Sequence, residues 1–78
     1  MNDITQQIYL LITEKLGIEE TKINDRIDFR KDFHIDSLDL FELFCEIEKR
    51  FEIVLPDEIA EKIETVEQLI EFVTSQHH

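Results

Sequence analysis

The sequence predicts an all-α fold of three longer helices and one short one, on three observations. Apolar residues recur at helical spacing in three segments, residues 4–16, 40–51 and 66–73. Start and stop signals stand at the ends of elements: Gly17 and Pro56 are the single Gly and single Pro of the chain, and neither interrupts a periodic segment. No turn signal separates two runs of alternating apolar and polar residues, so strand pairing is not expected.

The first helix is expected over Asp3–Leu16, where Ile4, Ile8, Leu11 and Ile12 share a face and Leu16 follows one turn on. Asp3 is placed to cap it, with Gln6 three residues later in capping-box register. Gly17 suits the left-handed residue that closes a helix. The connection from Gly17 to Asp36 is long, and such a loop is either packed or functional. Ile18, Ile23, Ile27, Phe29, Phe33 and Ile35 punctuate it, so it is expected to pack against the helices. A second helix is expected from Asp36 to about Phe51. Pro56 pre-sets the first turn of a short third helix, Asp57-Glu58-Ile59-Ala60. The last helix is expected to begin at Thr65, with Gln68 in capping-box register, and to bury Val66, Leu69, Ile70 and Val73.

Seventy-eight residues make one domain, residues 1–78, with a small core. Hydrophobic residues at 42% and charged residues at 35% give a globular rather than a disordered balance. The net charge of −11 decides the class of partner. Residues 31–78 hold 13 acids against 4 bases, and the excess is concentrated there. Phosphate backbones and anionic membrane surfaces require clustered Lys and Arg, so neither nucleic acid nor a membrane surface is expected as a partner. Basic partners are favoured.

A single cysteine, Cys45, excludes an internal disulfide, and no Cys/His set has zinc spacing. Asp25, Asp28, Asp32 and Asp36 lack the spacing and the central Gly of a calcium loop, so no metal site is expected. The longest apolar run, residues 8–12, is too short for a signal segment or a membrane span, and the start Met-Asn-Asp-Ile has no basic region. A reducing, cytoplasmic compartment is the expectation. His77 and His78 are assigned no role.

The second helix carries the functional signal. At about 100° per residue, Leu40, Leu43, Phe44, Ile47 and Phe51 fall together as a core stripe. Asp39, Glu42, Glu46, Lys49 and Arg50 fall opposite, and Glu46 has Arg50 one turn on as an ion-pair partner. Leu38, Phe41 and Cys45 form a second, separate apolar stripe, with Ser37 and Glu48 on the border between the two. An amphipathic helix needs one apolar stripe. The second either packs on the long loop, which helix geometry alone favours, or forms an exposed patch rimmed by carboxylates. Asp36 reads as the N-cap and Ser37 as the first helical residue. That position exposes the Ser37 hydroxyl beside free N–H groups and the positive end of the helix dipole, a setting that accommodates a phosphodiester.

Asp36-Ser37-Leu38-Asp39 resembles the modification motif of acyl carrier proteins. Phe29-Arg30-Lys31-Asp32-Phe33 is similar to the loop that precedes the motif in that family. Glu42-Leu43, Glu48, Phe51, Leu55-Pro56-Asp57-Glu58, Ala60-Glu61-Lys62-Ile63 and Thr65-Val66 are similar to its continuation. The resemblance runs from the first helix to Val73. It implies a small four-helix bundle, three longer helices plus one short helix, with a long packed loop between the first and second helices. It implies a 4'-phosphopantetheine arm on Ser37, attached by a separate phosphopantetheinyl transferase using coenzyme A, whose thiol carries acyl groups as thioesters. It implies a carrier and not an enzyme, and no nucleophile–base pair stands at Ser37: His34, the nearby titratable nitrogen, lies across the helix boundary. By the same resemblance Asp36, Asp39, Glu42 and Glu48 are recognition acids, and Leu38, Phe41 and Cys45 are the apolar contacts between them. The partners implied are the transferase and acyl-handling enzymes with basic docking patches, met by a monomer.

Three departures from the family pattern qualify the pathway. His34 stands where Gly is common. Lys49 and Arg50 stand where acids are common, so the acidic face is shortened. Phe41, Phe44 and Cys45 make the helix bulkier, and Phe44 is placed to narrow an acyl-binding cleft. Fatty acid biosynthesis is the first expectation. A specialised polyketide, aminoacyl or lipid-modifying carrier is the second, and an unmodified acidic helical adaptor for a basic partner helix is the third.

Overall fold

Each of the three long helices turns one apolar stripe inward, and the stripes meet in a single core. A computed structural model describes residues 3–76; the Asp3 side chain, and with it the expected cap, lies outside the described residues. α1 spans Asp3–Leu16, α2 Ser37–Phe51, α3 Asp57–Ala60 and α4 Val66–Gln76, with a 3-10 turn at Glu20–Lys22. Among the described residues there is no strand, and one isolated bridge joins Asp28 to Thr65. The expected all-α bundle is therefore the observed fold. α1 packs on both α2 and α4. Ile8, Leu11 and Ile12 of α1 meet Leu40, Leu43, Phe44, Ile47 and Phe51 of α2 and Val66, Leu69 and Val73 of α4. Ile70 is half-buried rather than in the core.

The ends of the helices follow from their sequence. Gly17 takes a left-handed φ of 70°, and its N–H donates to the Thr13 carbonyl at 3.0 Å. A Cβ there would meet nothing within 4 Å, so the requirement for Gly is conformational and not steric. At α4 the capping box forms, with Thr65 outside the helix: the Gln68 N–H donates to Thr65 Oγ1 at 3.2 Å, and Gln68 Oε1 accepts the Thr65 and Glu64 N–H groups at 3.1 and 2.6 Å. At α1, the Gln6 side chain reaches out of the helix, where its Nε2 donates to Glu20 Oε1 at 3.0 Å and fastens the connection. α2 ends on Glu52, whose left-handed φ of 54° is one that Gly adopts without strain; a side chain there costs about 1–2 kcal/mol.

The long connection is packed, as its apolar residues predict. Phe29 is fully buried, and Ile23 and Ile27 are nearly so. Three backbone bonds tie it to the start of α4: Phe29 N–H to the Glu64 carbonyl at 2.9 Å, Val66 N–H to that of Ile27 at 3.0 Å and Glu67 N–H to that of Asp25 at 2.8 Å. The Tyr9 hydroxyl on α1 donates to Asp25 Oδ1 at 2.6 Å and fixes the other side. Burial, the bond to Asp25 and the Asp25 charge together push the Tyr9 phenol up from 10.0 to about 12. Because the folded value is the higher one, the neutral phenol contributes stability that is complete below pH 10 and is lost as pH rises through about 12. Tyr9 is the single tyrosine, so ultraviolet absorbance titration reads it alone. The expected midpoint is near 12, falling but staying above 10 in Asp25→Asn, where burial remains. A midpoint at 10 in the folded protein would exclude the Tyr9–Asp25 bond.

Candidate functional site

Asp36 sets the site. Its extended backbone, φ −82° and ψ 171°, stops the connection, and its Oδ1 accepts the Asp39 N–H at 2.9 Å. Ser37 is then the first residue of α2 and is exposed. The turn that leads in is locked locally. Asp28 Oδ1 accepts the N–H groups of Lys31 at 2.8 Å and Arg30 at 2.9 Å, and Asp32 Oδ2 accepts the Asp28 N–H at 2.8 Å. The Lys31 N–H, then that of Arg30 and the charges of both side chains, hold the Asp28 carboxyl below the usual carboxylate range against a smaller desolvation effect. His34 closes the turn with a left-handed φ of 54°, its N–H donating to the Arg30 carbonyl at 3.1 Å. The Gly common at that position in the resembling family thus has a conformational reason, and the exposed His34 carries the strain.

On α2 the core stripe is buried, and the second stripe is not covered by the connection. Leu38 is 67% exposed and Phe41 58% exposed, while Cys45 is half-buried. Of the two alternatives for this stripe, packing on the loop does not hold for Leu38 and Phe41, and the loop's backbone is bonded to residues 64, 66 and 67 at the start of α4. Leu38 and Phe41 form the apolar patch, and Asp36, Asp39 and Glu42 are exposed on the same helix. Glu48 is half-buried and bonds within the fold. Its Oε2 accepts the Leu55 N–H at 2.7 Å and ties the α2–α3 connection to α2. Glu46 pairs with Lys15 of α1 at 4.0 Å, where the helix spacing had pointed to Arg50. Lys49 and Arg50 are exposed.

Beside Ser37 lies an open cleft of about 300 Å³ between α2 and α3, lined by Arg30, Ser37, Leu40, Phe41, Phe44, Asp57, Ala60 and Glu61. Phe44 lies in its wall, where its expected narrowing role puts it. Arg30, Asp57 and Glu61 are residues that the sequence did not single out for this site. Arg30 sits in the connection and reaches the cleft through the fold, a relation that no local pattern reports.

A hydroxyl held at a helix start, an apolar patch edged with acids and an open cleft thus lie together around the start of α2. The family of the phosphopantetheine attachment site matches residues 6–73. An acyl carrier protein of Rubrobacter xylanophilus is 42% identical over 71 residues, 91% of this chain and 88% of that one. An acyl carrier protein of Karelsulcia muelleri is 42% identical over 73 residues, 94% of this chain and 88% of that one. A solution structure assigned as an acyl carrier protein from Anaplasma phagocytophilum superposes with a TM-score of 0.87 at 28% identity, covering 95% of this chain and 88% of that one. The chain belongs to the acyl carrier protein family. It is a carrier with covalently attached 4'-phosphopantetheine, not an enzyme, and it works with a phosphopantetheinyl transferase and acyl-handling enzymes. Among the described residues no helix is long and apolar enough to cross a membrane.

The Glu48 bond has a measurable consequence. Glu48→Ala leaves the Leu55 N–H without its acceptor and is expected to cost about 1 kcal/mol, lowering Tm by roughly 4–8 °C. Glu48→Gln keeps a carbonyl acceptor and is expected to lose less. Thermal melts by circular dichroism compare the three proteins, and an Ala variant as stable as the parent would show that the bond contributes nothing.

Proposed function

We propose that Ser37 carries the arm and that the chain, a single domain over residues 1–78, serves fatty acid biosynthesis in the cytoplasm, presenting acyl thioesters to successive enzymes. The observation that carries this reading is the exposed Ser37 hydroxyl at the first residue of a 15-residue helix, opening on the α2–α3 cleft. The residues fit the group: the hydroxyl is free for a phosphodiester, and a partly apolar cleft lies next to it for the arm or its cargo. Phosphopantetheine supplies a flexible thiol for thioester exchange. The chain's own residues hold the attachment point rigid through Asp36, keep Leu38 and Phe41 in water for contact, and set a negative field around them with Asp36, Asp39 and Glu42. Cys45 borders the patch, and Glu48 adds charge at its edge while bonding Leu55. Basic docking patches on the transferase and on acyl-handling enzymes are the complement, engaged by a monomer. A specialised pathway is the second reading, favoured by Phe44 in the cleft wall and by the exposed Lys49 and Arg50.

Intact mass tests the attachment. Ser37→Ala incubated with a transferase and coenzyme A is expected to fold and to stay at its unmodified mass, while the parent gains one arm; a modified Ala variant would place the arm elsewhere. Acyl species recovered on the protein from its own cell decide the pathway: straight-chain intermediates support fatty acid biosynthesis, and aminoacyl or polyketide chains the specialised reading.

Binding kinetics with the transferase test the face. Glu42→Lys is expected to slow association by roughly tenfold at low salt, with the difference blunted as salt rises. Phe41→Ala is expected to act mainly by speeding dissociation, again roughly tenfold. If neither variant changes binding, the docking surface lies elsewhere.

A further inference from the structure

Arg30 is, among the described residues, the one cation lining the cleft beside Ser37. The other charged groups in the lining are Asp57 and Glu61, and Asp36 and Asp39 stand at the start of α2. Arg30 is held by its backbone from both sides: its N–H donates to Asp28 Oδ1 and its carbonyl accepts from the His34 N–H. Its side chain therefore starts from a fixed turn that leads directly into Asp36. The ion pairs among the described residues are Lys15–Glu46 and Lys22–Glu19, so the Arg30 guanidinium is in neither. The Asp28 carboxylate is engaged by backbone N–H groups, and the Arg30 charge is the smallest of the influences on it.

A phosphodiester on Ser37 adds a negative charge where carboxylates already crowd. Every other charged residue lining the cleft repels it, and Arg30 alone attracts it. A guanidinium presents a planar pair of N–H donors that match two phosphate oxygens. We propose that Arg30 is the counter-ion of the phosphodiester on Ser37, and that this pair lays the first part of the arm along the α2–α3 cleft instead of outward into solvent. The inference rests on Ser37 as the attachment residue. Such a pair is exposed and screened, so it biases the arm toward the cleft without locking it there, and a partner with a basic patch competes for the same phosphate.

The test compares parent and Arg30→Gln, each unmodified and carrying the arm. Intact mass on all four proteins comes first, so a failure of attachment at Ser37 is seen separately from a failure of the pairing. The expected result is that adding the arm lowers Tm by about 2–4 °C more in Arg30→Gln than in the parent at low ionic strength. The difference is expected to vanish near 1 M salt, where the Debye length is about 3 Å. The phosphodiester 31P resonance is expected to move on Arg30→Gln and to be partly restored in Arg30→Lys, which keeps the charge and loses the fork. If the Gln variant is a poor transferase substrate, Arg30→Lys against the parent gives the same 31P comparison. Equal Tm changes and an unmoved resonance would overturn the assignment. So would an Arg30 effect that appears only when the thiol carries a succinyl group, because the anion held would then be a cargo carboxylate and not the phosphodiester.

Discussion

The Asp36 carboxylate on the Asp39 N–H fixes where α2 begins, and nearly everything else in the site is a consequence of that start. A helix rotates by about 100° per residue, so the starting residue sets the direction of every side chain after it. With Ser37 first, Leu40, Leu43, Phe44, Ile47 and Phe51 face the core, and Leu38 and Phe41 face water. A start one residue later would leave Ser37 in an extended segment, off the rigid element. N-cap bonds of this kind are worth about 1 kcal/mol, small beside core burial, but they decide that Ser37 is the first helical residue. The preceding turn supports the same end: the bonds to Asp28, the left-handed His34 and the Ile35 N–H on the Phe29 carbonyl at 3.2 Å deliver the chain to Asp36 in one direction.

Much of this was legible in the sequence because it is local. The bounds of α1 and α2, the closing Gly17, the cap at Asp36, the Thr65–Gln68 box and the core stripe of α2 all rest on spacings of a few residues, and the structure holds each of them. What escaped is what depends on distant segments. Periodicity groups Leu38 with Phe41, but whether a loop covers them depends on where residues 25–29 bond, and they bond to α4. Glu46 has a local partner at helix spacing and takes Lys15 of another helix instead. Glu48 looks like one more surface acid until the Leu55 N–H is found on it. The bond from Gln6 to Glu20 of the connection has no local signature either. The placement of Arg30 in the cleft belongs to the same class.

The acidic excess has opposite effects on the fold and on its use. A net charge of −11 on 78 residues repels itself, and among the described residues two surface ion pairs offset it, each worth little. The same field reaches a basic partner over about a Debye length before any contact forms, which raises association rates without deepening the bound state. The excess is tolerated because the core does not depend on it: no charged or polar residue is buried among the described residues. Lys49 and Arg50 interrupt the field at the C-terminal end of α2, so attraction is strongest at the end that bears Ser37.

The proposed docking at the Leu38–Phe41 patch would be weak, because the patch is small. Burying a large apolar side chain completely is worth about 1.5–3 kcal/mol, and Leu38 and Phe41 already have part of their surface covered. Two such anchors supply at most a few kcal/mol, less than the entropy lost on association, so contact alone does not hold a partner tightly. Electrostatic attraction makes up part of the difference at the encounter, and salt can remove it. A third large apolar residue on this face, in place of the half-buried Cys45, would lengthen each complex and slow the passage of cargo from one enzyme to the next. A carrier that must leave every partner it meets is limited by release, and docking on a patch of two exposed residues of a rigid, acid-edged helix, as proposed, would satisfy that limit while keeping Ser37 in a fixed place.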